Sequence, residues 1–179
     1  AADNAGSIRA FPGSTAFDPR GVRIGPGLDD EMVDRLIGHG LGDGKRVLEL
    51  GCGNGSNAVS LARRGARVIV VDSSSERLAV ARRNAEAESV RVEFHHGDLA
   101  DLAFVRADQI DLCLAVYSLA EVEDLSRVFR QVERVLRTEA PLLISLPHPL
   151  ELMSEFDTSN NSVRLTRSAF DETPIAGGD

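Results

Sequence analysis

The chain has 179 residues, 42% of them hydrophobic and 27% charged. That is room for one domain with one sizeable core and not two, and its balance excludes a disordered chain, while no apolar run approaches the ~18 residues of a membrane span. With 28 acidic against 20 basic residues the formal charge is −8, and no basic run exceeds a pair such as Arg82–Arg83, so no nucleic-acid partner is expected.

Residues Ala1 to Ala10 contain Asp3 and Arg9 and no apolar segment, so no secretory signal is expected. Cys52 and Cys113 are the only cysteines. Isolated in apolar stretches, they form neither a disulfide framework nor a zinc site, and a cytoplasmic location with no metal is expected. Lys45 is the one lysine, which reads as codon bias. The missing initiator methionine and the abrupt end at Gly177-Gly178-Asp179 are what a trimmed or truncated chain is expected to show.

Residues 1–27, rich in Gly, Pro, Ala and Ser, read as an N-terminal arm or loop. Leu28, Met32, Val33, Leu36 and Ile37 then fall on one helical face over 28–41. Asp29, Asp30 and Glu31 sit in the first turn, where the helix dipole favours acids, and Gly40 and Gly42 can end it. Arg46–Leu50 reads as a strand running into Gly51-Cys52-Gly53-Asn54-Gly55, with a helix from Ser56 to Arg64. Ala66–Val71 is a buried strand ending at Asp72. Ser73 and Glu76 have capping-box spacing for a helix to Ala87. Val90–Phe94 reads as a third strand, followed by His95-His96-Gly97-Asp98. Ile110–Val116 is a fourth strand. Leu125, Val128, Phe129, Val132 and Leu136 mark the next helix, and Pro141–Leu146 is a fifth strand. Beyond Pro147 the pattern weakens to a short strand over Ser162–Thr166 and loop. Strands alternating with helices predict an α/β fold, an open parallel sheet with helices on both faces.

In such a sheet ligands bind at the carboxyl ends of the strands. The places to inspect are Gly51–Gly55, Asp72, Asp98, Val116–Leu119 and His148. Glycines at alternate positions between a strand and a helix leave bare backbone for a ligand, and they also suit a tight turn alone. Asp72 ends the next strand, 21 residues after Gly51, the spacing of an acid that accepts both ribose hydroxyls of a nucleoside. It also suits a helix cap, as does Asp98 for the stretch after it.

Together these motifs resemble the class I S-adenosylmethionine-dependent methyltransferases, over about Lys45 to Pro149. VLELGCGNG, Val47 to Gly55, is similar to the family's first motif. VIVVDSS, Val68 to Ser74, is similar to the second, HHGDLADL, His95 to Leu102, to the third, and DLCLAVYSLAEVED, Asp111 to Asp124, to the fourth. VLRTEAPLLISLPHP, Val135 to Pro149, resembles the helix–turn–strand after it. The resemblance implies a Rossmann-like fold, with S-adenosylmethionine as cofactor and S-adenosylhomocysteine as product. It implies a cofactor site of Glu49, Gly51, Cys52, Gly53, Gly55, Asp72, Ser73, Asp98, Leu99, Ala115 and Val116. Asp72 would serve the ribose, Asp98 and Leu99 the adenine, and Ala115 and Val116 the methionine moiety. It divides the chain into an arm at 1–27, a cofactor domain at 28–150 and a C-terminal extension at 151–179 belonging to the substrate region.

Two departures from the family stand out. Its further helix and C-terminal antiparallel strand pair are expected to be missing, since 29 residues remain after Leu150; the open edge left behind favours pairing, as in a homodimer. The turn before the fifth strand is Thr138-Glu139-Ala140 instead of Pro-Gly-Gly. The reaction implied is in-line methyl transfer to a small-molecule acceptor. Its chemistry is mostly alignment, a gain worth ~7–11 kcal/mol, so no catalytic residue is assigned. His148 and Tyr117 are the candidates, as base, substrate contact or packing. Cys52 and Cys113 read as packing residues, and His95 and His96 as lining or flanking the cleft. The rivals are a catalytically silent cofactor-binding partner, an aminopropyl transferase on a similar fold, and a nicotinamide-dependent Rossmann oxidoreductase. The last would want glycine where Ser56 stands.

Overall fold

The computed structural model describes residues 16–25, 28, 30–37, 44–120, 122–148, 150, 153–157 and 159–168. The chain divides into two units, 1–145 and 146–179.

The first unit is built on runs of β-branched and aliphatic residues. β1 (Arg46–Leu50), β2 (Arg67–Asp72), β3 (Val92–His96), β4 (Leu112–Val116) and β5 (Leu142–Ser145) form one sheet in the order β3-β2-β1-β4-β5. All its pairings are parallel, with Leu48 opposite Ile69 on one side and Cys113 on the other. The helices are α1 (Asp30–Ile37), α2 (Ser56–Arg63), α3 (Ser75–Ala87) and α4 (Leu125–Val135).

Because strand side chains alternate, β1, β2 and β4 each serve two cores. Val47, Val68, Val70, Leu112 and Leu114 pack with Val33 and Ile37 of α1, Leu61 of α2 and Leu78 of α3. Leu48, Leu50, Ile69, Val71, Cys113 and Ala115 pack on the other face with Leu102, Ile110 and Val128, Val132 and Val135 of α4. The same alternation puts Glu49 and Asp72 on the α2–α3 face, at neighbouring strand ends.

Several boundaries differ from the sequence reading for identifiable reasons. The capping residue of α3 is Ser74, not Ser73: Asp72 takes the Ser74 N–H at 2.8 Å, and Ser74 Oγ accepts the Arg77 N–H at 3.2 Å. The third strand begins at Val92, not Val90. Ser89 takes a left-handed φ of 56° and Val90 still donates to Ala85 O, so the chain reversal consumes 89–91. Both histidines therefore belong to the strand. The apolar stripes are narrower than read, leaving Met32, Leu36, Leu125 and Phe129 exposed.

Residues 16–25, read as arm, form a strap on the first unit. Val22 and Ile24 are core residues. The Asn57 amide of α2 grips the strap in both directions: Arg23 N–H donates to Asn57 Oδ1 at 2.7 Å and Asn57 Nδ2 donates to Arg23 O at 2.9 Å. Asp18 N–H donates to Ser56 Oγ at 3.0 Å. Asn57→Ala is expected to lower unfolding stability by about 1–2 kcal/mol, two modest hydrogen bonds, as read by urea denaturation.

In the second unit, β6 (Ser154–Asp157) and β7 (Ser162–Leu165) form an antiparallel pair. The expectation of loop with one short strand is corrected there: an antiparallel pair exists, as a two-stranded sheet of its own. β6 escaped notice because SEFD is short and polar, without a β-branched residue.

Candidate functional site

The carboxyl ends of β1, β2, β3 and β4 open onto a cleft of about 950 Å³. It is lined by Glu49, Gly51, Cys52, Gly53, Asp72, Ser73, Asp98, Leu99 and Val116 of the expected set. Tyr117 lines it as well. No helix among the described residues is long and apolar enough to cross a membrane.

Gly51 turns the chain out of β1 with φ +80°, and its N–H donates to Val71 O at 2.8 Å. A Cβ there would lie 2.4 Å from the Cβ of Ser118. The Gly51 backbone thus packs directly against the Ser118 side chain between the turns that leave β1 and β4, and the Ser118 hydroxyl donates to Leu50 O. Gly55, by contrast, does not line the cleft. It starts α2 at φ +85°, and a Cβ would sit 2.9 Å from that of Ala81, so its smallness serves the approach of α2 to α3.

Asp72 is 1% exposed. Its Oδ2 accepts the Cys52 N–H at 2.8 Å and its Oδ1 the Ser74 N–H at 2.8 Å. Arg77 Nη2 donates to Oδ1 at 2.9 Å, and Arg77 Nε reaches both oxygens, at 3.1 and 3.2 Å. Burial pushes this carboxyl up. The Arg77 guanidinium and the two backbone N–H groups outweigh it and hold the group below its ordinary range.

Glu49 is the opposite case. It is 3% exposed, and its Oε2 has no hydrogen-bond partner. Burial pushes its pKa up to about 8; the Asn57 amide lowers it and the Asp72 charge raises it further. Two acids on one face therefore differ in charge: Asp72 is ionised, while Glu49 is mostly protonated at neutral pH. The Cys52 thiol is pushed above its ordinary range by burial and by both acids. A thiol held in that form is a poor nucleophile.

Asp98 does what a turn-forming acid does, with Oδ1 accepting the Ala100 N–H at 2.8 Å, and its Oδ2 lies 3.9 Å from Arg127. Ser73 offers its carbonyl to His96 Nε2 at 3.0 Å. Tyr117 holds a left-handed φ of 59° at the end of β4, its N–H tied to Ser145 O at 2.9 Å.

A second expected residue lies off the cleft. Ala115 is fully buried on the α4 side of the sheet and does not line the cleft, because alternation along β4 points it away. His148 belongs to the second unit, is exposed, and offers Nδ1 to the Leu150 N–H at 3.2 Å. His95 stacks on Phe104 at 3.8 Å and bonds Glu93 at 2.6 Å. Sequence reasoning missed Asp18 and Arg23 of the strap, Asn57, Arg77 and Arg127, all on the cleft wall. Arg77 alone left a signal: a side chain in the first turn of a helix leans back toward its N-terminus, where Asp72 stands. Among the described residues no group of three or more His, Cys, Asp or Glu side chains is placed to hold a metal ion.

A family model described as a methyltransferase domain matches residues 47–139. A ubiquinone biosynthesis O-methyltransferase of Hahella chejuensis is 35% identical over 102 residues, covering 57% of this chain and 43% of that protein. A magnesium-protoporphyrin O-methyltransferase of Rhodobacter capsulatus is 34% identical over 144 residues, 76% of this chain and 63% of that protein. The chain thus spans less than two thirds of each of these relatives. The crystal structure of an S-adenosylmethionine-dependent methyltransferase from Mesorhizobium loti superposes with a TM-score of 0.56 at 28% identity, over 69% of this chain and 57% of that one.

Proposed function

Since the chain belongs to the methyltransferase-domain family, we propose that its cleft binds S-adenosylmethionine and that the protein transfers the methyl group to a small-molecule acceptor. The observation that carries the proposal is the unpartnered, buried Glu49 Oε2 beside the ionised Asp72. A buried carboxyl oxygen without a partner is costly, and a cationic ligand that takes the place of the carboxyl proton offsets that cost. Glu49 suits the ammonium group of the cofactor's methionine part, and Asp72 the two ribose hydroxyls. The bare backbone at Gly51 and Gly53 admits close approach, and Asp98 and Leu99 border the place for the adenine. When bound, S-adenosylmethionine supplies an activated methyl on a good leaving group.

The chain's own contribution is positioning. The turns after β1 and β4 are fixed against each other at Gly51 and Ser118, and Tyr117 and Val116 face the same space. The two curated relatives described above are named as O-methyltransferases, which makes hydroxyl acceptors the first class to screen.

Calorimetric titration with S-adenosylmethionine, S-adenosylhomocysteine and NADH tests the reading. Micromolar binding of the first two is expected, weakened at least about tenfold in Asp72→Ala, which removes charge-assisted bonds. Binding of NADH alone overturns it.

A further inference from the structure

Four donors converge on Asp72: the Cys52 and Ser74 N–H groups and two nitrogens of Arg77. A carboxylate has about four acceptor positions, so this one is saturated. The backbone donors are fixed by the turn after β1 and by the start of α3. The guanidinium is not fixed in the same way. Its side chain is 54% exposed, and it reaches Asp72 from the solvent side of a carboxylate that is itself 1% exposed.

A guanidinium edge and a vicinal diol present the same thing to a carboxylate, two donors side by side. We propose that Arg77 is an internal competitor of the cofactor's ribose: its fork holds the two acceptor positions on Asp72 that the ribose diol needs, and binding requires the guanidinium to withdraw. The inference rests on the cofactor reading above. Release also takes a positive charge away from the site as a cationic ligand arrives, so the same movement that frees the acceptors leaves Glu49 and Asp72 to face that ligand. Apparent affinity is the intrinsic affinity multiplied by the fraction of molecules in which Asp72 is free, so the ion pair sets how much of the affinity is withheld.

The experiment is titration of wild type, Arg77→Met and Arg77→Lys with S-adenosylhomocysteine, adenosine and 2′,3′-dideoxyadenosine. Methionine keeps the stem and removes the fork; lysine keeps the charge without a planar fork. Arg77→Met is expected to bind S-adenosylhomocysteine and adenosine about fivefold more tightly than wild type, the upper end for a half-exposed ion pair, with Arg77→Lys between them. The dideoxy compound is expected to show no gain, having no diol to replace the fork. Equal or weaker binding by Arg77→Met, with wild type binding normally, overturns the competition and leaves the cofactor reading standing. An equal gain for the dideoxy compound overturns it too. No binding of S-adenosylhomocysteine by any of the three proteins overturns the cofactor reading and the competition together.

Discussion

Gly51→Ala is expected to remove much of the protein's stability. Two costs add. The position has φ +80°, a conformation that costs an L-residue about 1 kcal/mol. The new methyl would also sit 2.4 Å from the Ser118 Cβ, against two turns that cannot both stay in place. Overpacking of this kind costs about 1–3 kcal/mol or more, and here the obstacle is next to backbone. A combined loss of about 3–4 kcal/mol is a large share of a typical 5–15 kcal/mol. Urea denaturation reads it directly. Gly97→Ala is the control: it lies on the same cleft, but a Cβ there meets nothing within 4 Å, so a change within about 0.5 kcal/mol is expected. Adding Ser118→Gly to Gly51→Ala should recover the collision and not the backbone strain.

The second large effect is a pH dependence centred on Glu49. Its folded pKa is raised from 4.5 to about 8, so between those values the folded state holds a proton that the unfolded state has lost. Stability linked to this group is therefore fully present below about pH 4.5 and falls as pH rises toward 8, by about 1.4 kcal/mol per unit at most. Asp72 works in the other direction. Its folded pKa is lowered, so its contribution is present above the ordinary value of 3.8 and is lost as pH falls through the folded one. Between pH 5 and 8 the Glu49 slope stands alone of the two. Glu49→Gln, which cannot ionise, is expected to flatten the fall and to be several kcal/mol more stable relative to wild type at pH 9 than at pH 5. Denaturation midpoints at both values check this. A parallel fall in the variant would locate the titration elsewhere. The same proton should be released when a cation binds, so at pH 7 the heat of S-adenosylmethionine binding should vary with the ionisation enthalpy of the buffer, and this variation should vanish in Glu49→Gln.

Much of this was legible in the sequence because of where the chain is buried. β1, β2 and β4 lie between two cores, so RVLEL, RVIVVD and LCLAV read as strands without ambiguity. Asp72 announced itself by spacing, and Gly51 by the strand before it. What the sequence did not carry was direction. Ala115 and Val116 are neighbours, yet only one faces the cleft, and the register that decides it comes from pairing with β1 and β5. Gly55 belongs to the same glycine run as Gly51 but is small for the sake of Ala81, which is distant in sequence. Ser73 and Ser74 are indistinguishable as caps until Asp72 claims the Ser74 N–H. The strap was illegible altogether, because two apolar residues, Val22 and Ile24, in a Gly- and Pro-rich stretch are too few to set a period.

That strap has a kinetic meaning. A single side-chain amide stands in for a neighbouring strand, supplying one rung of a ladder to a segment that has none. Closing the loop from Arg23 to Asn57 costs chain entropy, and the rung needs Asn57 held in place on α2. The cleft wall carrying Asp18 and Arg23 is therefore expected to form late in folding and to open early in unfolding, which hydrogen exchange at the Arg23 amide would read. Because Val22 and Ile24 are core residues on the same segment, that wall is expected to open as a whole leaf rather than residue by residue.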